Sequence, residues 1–176
     1  MSTRNEKLAY AAWPTAWGPM GGVWGPKGLR RVVLPHYQMD QLLELLSWEH
    51  AGAVRDETPF EQFIAASREY FNARRVDFSD IECDLPGEQT FAGKVLHACR
   101  RIAYAQTRSY SSLAMEIGRE DAARAVATAL GKNPIPLVVP CHRVTYADGN
   151  PGGFSAAGGV ALKQRMLDLE RKTGNR

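Results

Sequence analysis

A thiol becomes a nucleophile when something takes its proton, and an imidazole backed by a carboxylate does that well near neutral pH. The stretch "PLVVPCHRV", residues 136–144, sets Cys141 between Pro140 and His142. "IPLVV" has strand chemistry, and Pro140, with no N–H to give, is expected to end its ladder and leave Cys141 at the strand end. Neighbours on an extended chain project to opposite sides, so His142 is expected to act on the Cys141 sulfur through water. A thiol hydrolase normally brings its histidine from elsewhere in the fold. His36, His50 and His97 stand in no recognisable hydrolase context. A lone cysteine in apolar sequence is a small buried hydrophobe. Here Asn133-Pro134 precedes it, "HRV" follows, and "GGFSAAGG" supplies a small-residue loop able to border a pocket.

Two helices bear on this chemistry. In "VALKQRMLDLE", Leu162, Met166 and Leu169 form an apolar stripe with Glu170 at its edge. Such a carboxylate is either a solvated surface group or the group that orients an imidazole as a base. Upstream, "SYSSLAMEIGREDAARAVATALGKNP" has helix-turn-helix punctuation: a Ser-capped helix stopping at Gly118, then a second from about Asp121 to Gly131. In the second, Ala122, Ala123, Ala125, Ala127 and Ala129 leave Arg124 as the one long cationic group. Alanine is simply the best helix former. A stripped helix with one projecting arginine also suits a reader that approaches a duplex closely.

The elements that must position these groups read as follows. "KLAYAAW", "GGVWG" and "LRRVVLP" are β-prone runs broken by Gly and Pro, as in an antiparallel meander. "QMDQLLELLSWEHA" and "TPFEQFIAASREYFNARR" have helical spacing; in the second, Phe60, Phe63, Ile64, Ser67 and Phe71 share a face after a Thr58 cap and Pro59. Residues 76–90 read as a strand running into a linker, with a domain boundary near residue 88. "TFAGKVLHACRRIAYA" is amphipathic through Phe91, Val95, Leu96, Cys99 and Ile102, which makes Cys99 a core thiol and His97 a helix-surface imidazole.

With 176 residues, 44% hydrophobic and 23% charged, the chain has an ordinary globular composition. A net charge of +3 permits an anionic partner without naming one. No apolar run reaches membrane-span length, the N-terminus lacks an apolar signal core, and the three cysteines are odd in number and widely separated. A cytoplasmic location, reduced thiols and no zinc site are expected.

From Phe91 through "SYSSLA" and "ARAV" to Glu170, with "NPIPLVVPCHRV" at its centre, the chain resembles the O6-alkylguanine-DNA alkyltransferases, also called methylated-DNA–protein-cysteine methyltransferases. Residues 1–88 are compatible with that family but carry no sharp motif. The resemblance implies an α+β fold. Residues 1–88 would be a small ribonuclease-H-like α/β domain with antiparallel strands, and residues 89–176 a mostly helical, winged-helix-like DNA-binding domain.

The resemblance also implies roles. Tyr110 aids nucleotide flipping and contacts guanine N3, and Arg124, with Ala123 and Ala125 beside it on the DNA-facing helix, fills the vacated stack. Asn133 is a hinge, Cys141 the alkyl acceptor, His142 its water-mediated base and Glu170 the partner of His142. The carbonyls of Cys141 and Val144, with Phe154 and Ser155, border the base. The implied partner is double-stranded DNA containing O6-alkylguanine, with O4-alkylthymine as a further substrate. The implied protein is a monomer that acts once, with no cofactor and no metal. Phe154 stands where many members have tyrosine, and "SAAGG" at 155–159 is longer than the usual loop. Two other classes are a non-catalytic alkyltransferase-like binder of damaged bases, whose members lack the acceptor cysteine, and a cysteine hydrolase, which turns over repeatedly and needs no DNA.

Overall fold

The computed structural model describes residues 7–174; residues 1–6, part of the stretch read above for a signal core, and 175–176 lie outside the described residues. The three β-prone runs form β1 (Ala9–Thr15), β2 (Gly18–Gly25) and β3 (Gly28–Val33), an antiparallel meander in which Ala9 faces Trp24 and Gly21 faces Val33. A short β4 (Val54–Arg55) joins β1 in parallel and gives the order β3-β2-β1-β4. Two exposed residues carry no alternating pattern, so β4 has no sequence signal.

Helices cover both faces of this sheet. On one face α1 (Met39–Glu49) lays Leu42 and Leu46 against Ala12, Val23 and Val33. A Cβ at Gly21 would come within 2.9 Å of both the Ala11 carbonyl oxygen and Leu46 Cδ1, so the missing side chain sets how closely α1 approaches. On the other face α2 (Glu61–Phe71) and the 3-10 turn before it pack Phe60, Phe63 and Ile64 with Trp13, Leu29 and Val32.

Thr58 does not cap α2: its N–H donates to Asp56 Oδ1 at 2.9 Å and it begins the 3-10 turn Thr58–Phe60. An aspartate two residues upstream makes this local turn more readily than a threonine hydroxyl does. The expected strand within 76–90 is also absent. The segment meets β3 at one residue, where the Leu29 N–H donates to the Glu82 carbonyl and the Leu29 carbonyl accepts from the Asp84 N–H. Asp77, Asp80, Asp84 and Pro86 keep the rest irregular.

The second half is mostly helical. α3 (Phe91–Arg100) is capped by Thr90, whose hydroxyl oxygen accepts from the Gly93 N–H, and α4 (Tyr110–Glu116) by Ser109 in the same way through the Ser112 N–H. The chain turns at Gly118, φ 71°, into α5 (Ala123–Gly131), and α3, α4 and α5 pack against one another. β5 (Arg108–Ser109) pairs in parallel with β6 (Val144–Thr145), and α6 (Gly159–Gly174) closes the fold.

One apolar core runs through both halves, from Trp13 and Phe63 to Val95, Leu113, Val126 and Met166. The Val32 N–H donates to the Pro134 carbonyl at 2.9 Å, and the Arg165 guanidinium lies over the Trp17 ring at 4.1 Å. Among the described residues no helix is long and apolar enough to cross a membrane.

Ser67 tests the face of α2 that carries this core. It is fully buried, accepts from Trp13 Nε1 at 2.9 Å and donates to the Ile64 carbonyl. Ser67→Ala strands the indole N–H in apolar surroundings and is expected to cost about 1–3 kcal/mol, read as a lower urea midpoint. A midpoint equal to the parent's would show that Trp13 finds another acceptor.

Candidate active site

Residues 135–139 form a loop where the sequence suggested a strand. Pro134 and Pro136 remove two ladder donors, and Leu137 takes φ 78°, a left-handed conformation that a strand does not contain. Asn133 holds the loop from inside: its Nδ2 donates to the Val139 carbonyl at 2.9 Å and its Oδ1 accepts from the Ile135 N–H at 3.1 Å. The loop delivers Cys141 to the start of a 3-10 turn, Cys141–Arg143, so all three of its side chains are buried. The His142 ring makes no hydrogen bond to the Cys141 sulfur, and its Nδ1 is buried without a partner among the described residues.

Glu170 is not at a solvated edge; it is 1% exposed and accepts five hydrogen bonds. Oε1 receives His142 Nε2 at 2.6 Å, the Tyr70 hydroxyl at 2.8 Å and Arg143 Nη2 at 3.0 Å. Oε2 receives Arg143 Nε at 2.9 Å and the Ala105 N–H at 3.0 Å. Arg143 is fixed in turn by the Ile102 carbonyl, which accepts from Nη1 at 2.7 Å.

These contacts set the proton affinities. Burial alone would raise the Glu170 carboxyl, but hydrogen bonds and charge from His142 and Arg143 outweigh it and hold it down to about 2. Burial keeps His142 below the ordinary imidazole value, although Glu170 pulls the other way. The pair is a neutral imidazole donating from Nε2 to a carboxylate, with Nδ1 open as a base. Burial also pushes the Cys141 thiol up; a hydrogen bond from Asn133, the Lys163 charge and nearby backbone N–H groups bring it part of the way back. The resting sulfur is therefore a thiol that needs a base.

Lys163 is nearly fully buried on α6, where its Nζ donates to the Val144 carbonyl at 2.6 Å and to the Tyr110 hydroxyl at 3.3 Å, with the Gly153 carbonyl at 3.4 Å. Burial lowers it to about 8. Thus the Val144 carbonyl, expected to border a base, already holds an ammonium. Tyr110, the first residue of α4, is pushed up to about 12 by burial, and its ring lies against Tyr146 at 5.2 Å. A cavity of about 320 Å³ opens over Cys141, lined by Tyr110, Leu130, Tyr146, Phe154 and Ser155. A crevice of about 520 Å³ reaches the same cysteine between Pro136, Ala156 and, from the first half, Val32 and Tyr37. Phe154 and Ser155 line both spaces.

α5 leads into this region through Gly131, another wall of the cavity. Its Val126 and Leu130 face the core, while Arg124 and Ala125 are exposed and Ala123 is half-buried. The structure thus gathers Tyr110, Asn133, Cys141, His142, Val144, Phe154, Ser155 and Glu170 around one cysteine, with Arg124, Ala123 and Ala125 on the adjoining helix.

Residues 90–172 match the family described as the DNA-binding domain of 6-O-methylguanine DNA methyltransferase. The inducible methylated-DNA–protein-cysteine methyltransferase of Bacillus subtilis is 33% identical over 85% of this chain and 82% of its own length. The chain belongs to the methylated-DNA–protein-cysteine methyltransferase family. The family member from Mycolicibacterium paratuberculosis is 48% identical over a shorter stretch, 58% of this chain and 60% of that relative. Among solved structures, Mycobacterium tuberculosis OGT in complex with DNA superposes with a TM-score of 0.77 at 32% identity, covering 94% of each chain. A second structure, of the O6-methylguanine methyltransferase of the same organism, gives 0.76 at 31%, again over 94% of each. The mixed α+β architecture is thus that of this methyltransferase family.

Sequence reasoning missed four groups at the methyltransferase site: Tyr70, Arg143, Tyr146 and Lys163. Lys163 had a signal, since it directly follows Leu162 and lies three residues before Met166, inside the apolar stripe. Tyr70 lies three residues after Ser67 and seven after Phe63, on the very face of α2 that was singled out as apolar.

The Glu170 network makes stability depend on pH with a definite sign. A carboxyl held at about 2, against 4.5 ordinarily, contributes stability that is fully present above about 4.5 and is lost as pH falls towards 2, on the order of 3 kcal/mol. Glu170→Gln is expected to cost about 3–5 kcal/mol at neutral pH, because it strands Arg143, with the gap to the parent narrowing between about pH 5 and pH 2. Urea titrations across that range check it, and a constant gap would show that Glu170 titrates as an ordinary carboxyl.

Proposed function

We propose that this protein repairs alkylated DNA by direct reversal: it takes an O6-alkylguanine out of the duplex and moves the alkyl group onto Cys141, once per molecule. The observation that carries the proposal is a buried, proton-bearing cysteine under a cavity of about 320 Å³, beside a His142–Glu170 pair whose Nδ1 is open. An O6 substituent lies within the base stack, so the nucleotide must be extruded before a buried side chain can reach it.

The transfer then balances as follows. His142 Nδ1 takes the Cys141 proton through a water, and Glu170 stabilises the imidazolium. The thiolate attacks the alkyl carbon, the carbon–O6 bond breaks as the sulfur–carbon bond forms, and the guanine leaves with the bonding electrons. Tyr110, whose hydroxyl oxygen accepts from Lys163, supplies a donor for the charge gathering on the base at N3. Phe154 is the aromatic wall and Ser155 a polar rim; the guanine leaves with its DNA by the cavity it entered, and the second crevice offers room for a longer alkyl chain on the sulfur. No group in this sequence of steps regenerates the thiol from a thioether, which is why the protein acts once. The steps need no cofactor and no metal. O4-alkylthymine presents the same alkyl–oxygen bond and is a second substrate.

Double-stranded DNA is the partner of the second half, with α4 and α5 as a helix-turn-helix and Arg124 filling the place of the flipped base. We read residues 1–88 as a ribonuclease-H-like α/β domain and residues 89–176 as a winged-helix-like one, with Asn133 as the hinge that ties α5 to the cysteine. The protein works as a cytoplasmic monomer.

Two measurements test the reading. Incubation with methylated duplex followed by intact-protein mass spectrometry is expected to show one retained methyl group, mapped to Cys141 and absent from Cys83 and Cys99; Cys141→Ser abolishes it while leaving DNA binding in place. No adduct on the parent would make the protein a binder only, and repeated turnover of an ester would make it a hydrolase. Arg124→Ala is expected to slow repair within a duplex, where unstacking costs a few kcal/mol, while reaction with the free modified base changes much less. Equal slowing of both substrates would assign Arg124 to the structure alone.

A further inference from the structure

Of the five donors to Glu170, four come from the second half and one, the Tyr70 hydroxyl, crosses from α2 in the first half. Tyr70 is fully buried, its hydroxyl lies 2.8 Å from Glu170 Oε1 and 3.4 Å from His142 Nε2, and its ring is edge-on to His142. A phenol in this position is expensive unless bonded, and a phenylalanine would fill the same space between Phe71, Phe78 and Tyr104.

We infer that Tyr70 is a positioning residue for proton abstraction, through which the first half of the chain tunes the basicity of His142. The inference rests on the alkyl-transfer reading above. Tyr70 and His142 donate to the same carboxylate oxygen, so each reduces the negative charge available to the other. With the phenol in place, Oε1 holds the imidazole by a short bond yet stabilises the imidazolium less than a free carboxylate would. His142 then stays neutral, with Nδ1 open, at lower pH. The other charged or titratable groups around His142 are Arg143 and Cys141 on its own turn, Lys163 on α6, and Tyr104, whose ring lies under the Arg143 guanidinium. Burial and the cations Arg143 and Lys163 oppose the imidazolium, and Glu170 favours it. Tyr70 acts on the one group that pulls the other way.

The sign follows. Without the Tyr70 hydroxyl, Glu170 favours the imidazolium more strongly, His142 protonates at higher pH, and the acid limb of the transfer rate moves up. For Tyr70→Phe, single-turnover methyl transfer is expected to show that limb raised by about half a pH unit, a loss of about threefold on the limb itself, with the rate well above it within about twofold of the parent's. Site-specific 3-fluorotyrosine at position 70 makes the phenol a stronger donor while keeping its bond, so it should move the limb to lower pH. That arm decides the matter if Tyr70→Phe does not fold. Limbs superimposable on the parent's, with methyl still mapped to Cys141, would overturn the role of Tyr70 and leave the alkyl-transfer reading standing. A parent that never acquires a methyl group on Cys141 would overturn that reading itself.

Discussion

A buried carboxylate with five donors is the constraint around which the rest of this molecule is arranged. Taking a charge such as Glu170 out of water is costly by itself, and the cost is offset only when every lone pair meets a donor of good geometry. Those donors come from distant parts of the chain: α2 gives Tyr70, the loop after α3 gives Ala105, and the turn after the 133–139 loop gives His142 and Arg143. Each lessens the cost of holding the charge, His142 and Arg143 most of all. The apolar core running through both halves and the network at Glu170 are therefore one cooperative unit.

The same burial controls the sulfur. A thiol exposed in a basic pocket would ionise readily and be open to oxidation, whereas burial holds the Cys141 proton in place. A thiol so held reacts only with help from a base, and burial keeps the neighbouring His142 neutral at rest as well. Lys163 places a positive charge near the sulfur without an ion pair, since its hydrogen bonds go to carbonyls and to Tyr110. An ammonium lowered to about 8 still carries its charge at neutral pH and favours the thiolate once it forms.

Much of this was legible in the sequence, and the parts that were not have common physical causes. The meander β1 to β3, the helices and the cap at Ser109 follow from local periodicity and hydrogen-bonding chemistry. The "IPLVV" strand failed because apolar, β-branched residues are compatible with any buried extended segment, and the side chain of Asn133 decided the path. The stripe alone left Glu170 between a solvated edge and an imidazole partner, because it shows where apolar residues point, not which polar residue meets partners from elsewhere. Tyr70 and Arg143 were invisible as site residues for the same reason: their value lies in a contact with a residue far along the chain.

The loop from Asn133 to Pro140 joins α5 to the cysteine, and its chemistry explains why it is built without secondary structure. A strand or helix there would have its own internal ladder, and its geometry would answer to that ladder rather than to its surroundings. The loop instead takes its shape from one amide side chain, two prolines with fixed φ, and a left-handed residue at Leu137 that the buried surroundings must hold in place. Asn133 lies two residues beyond Gly131, the end of α5, and its amide reaches Val139, two residues before Cys141. The path from α5 to the 3-10 turn is thereby short, and the Val32–Pro134 hydrogen bond ties it to β3. The sheet of the first half is thus tied to the segment that sets where the sulfur lies.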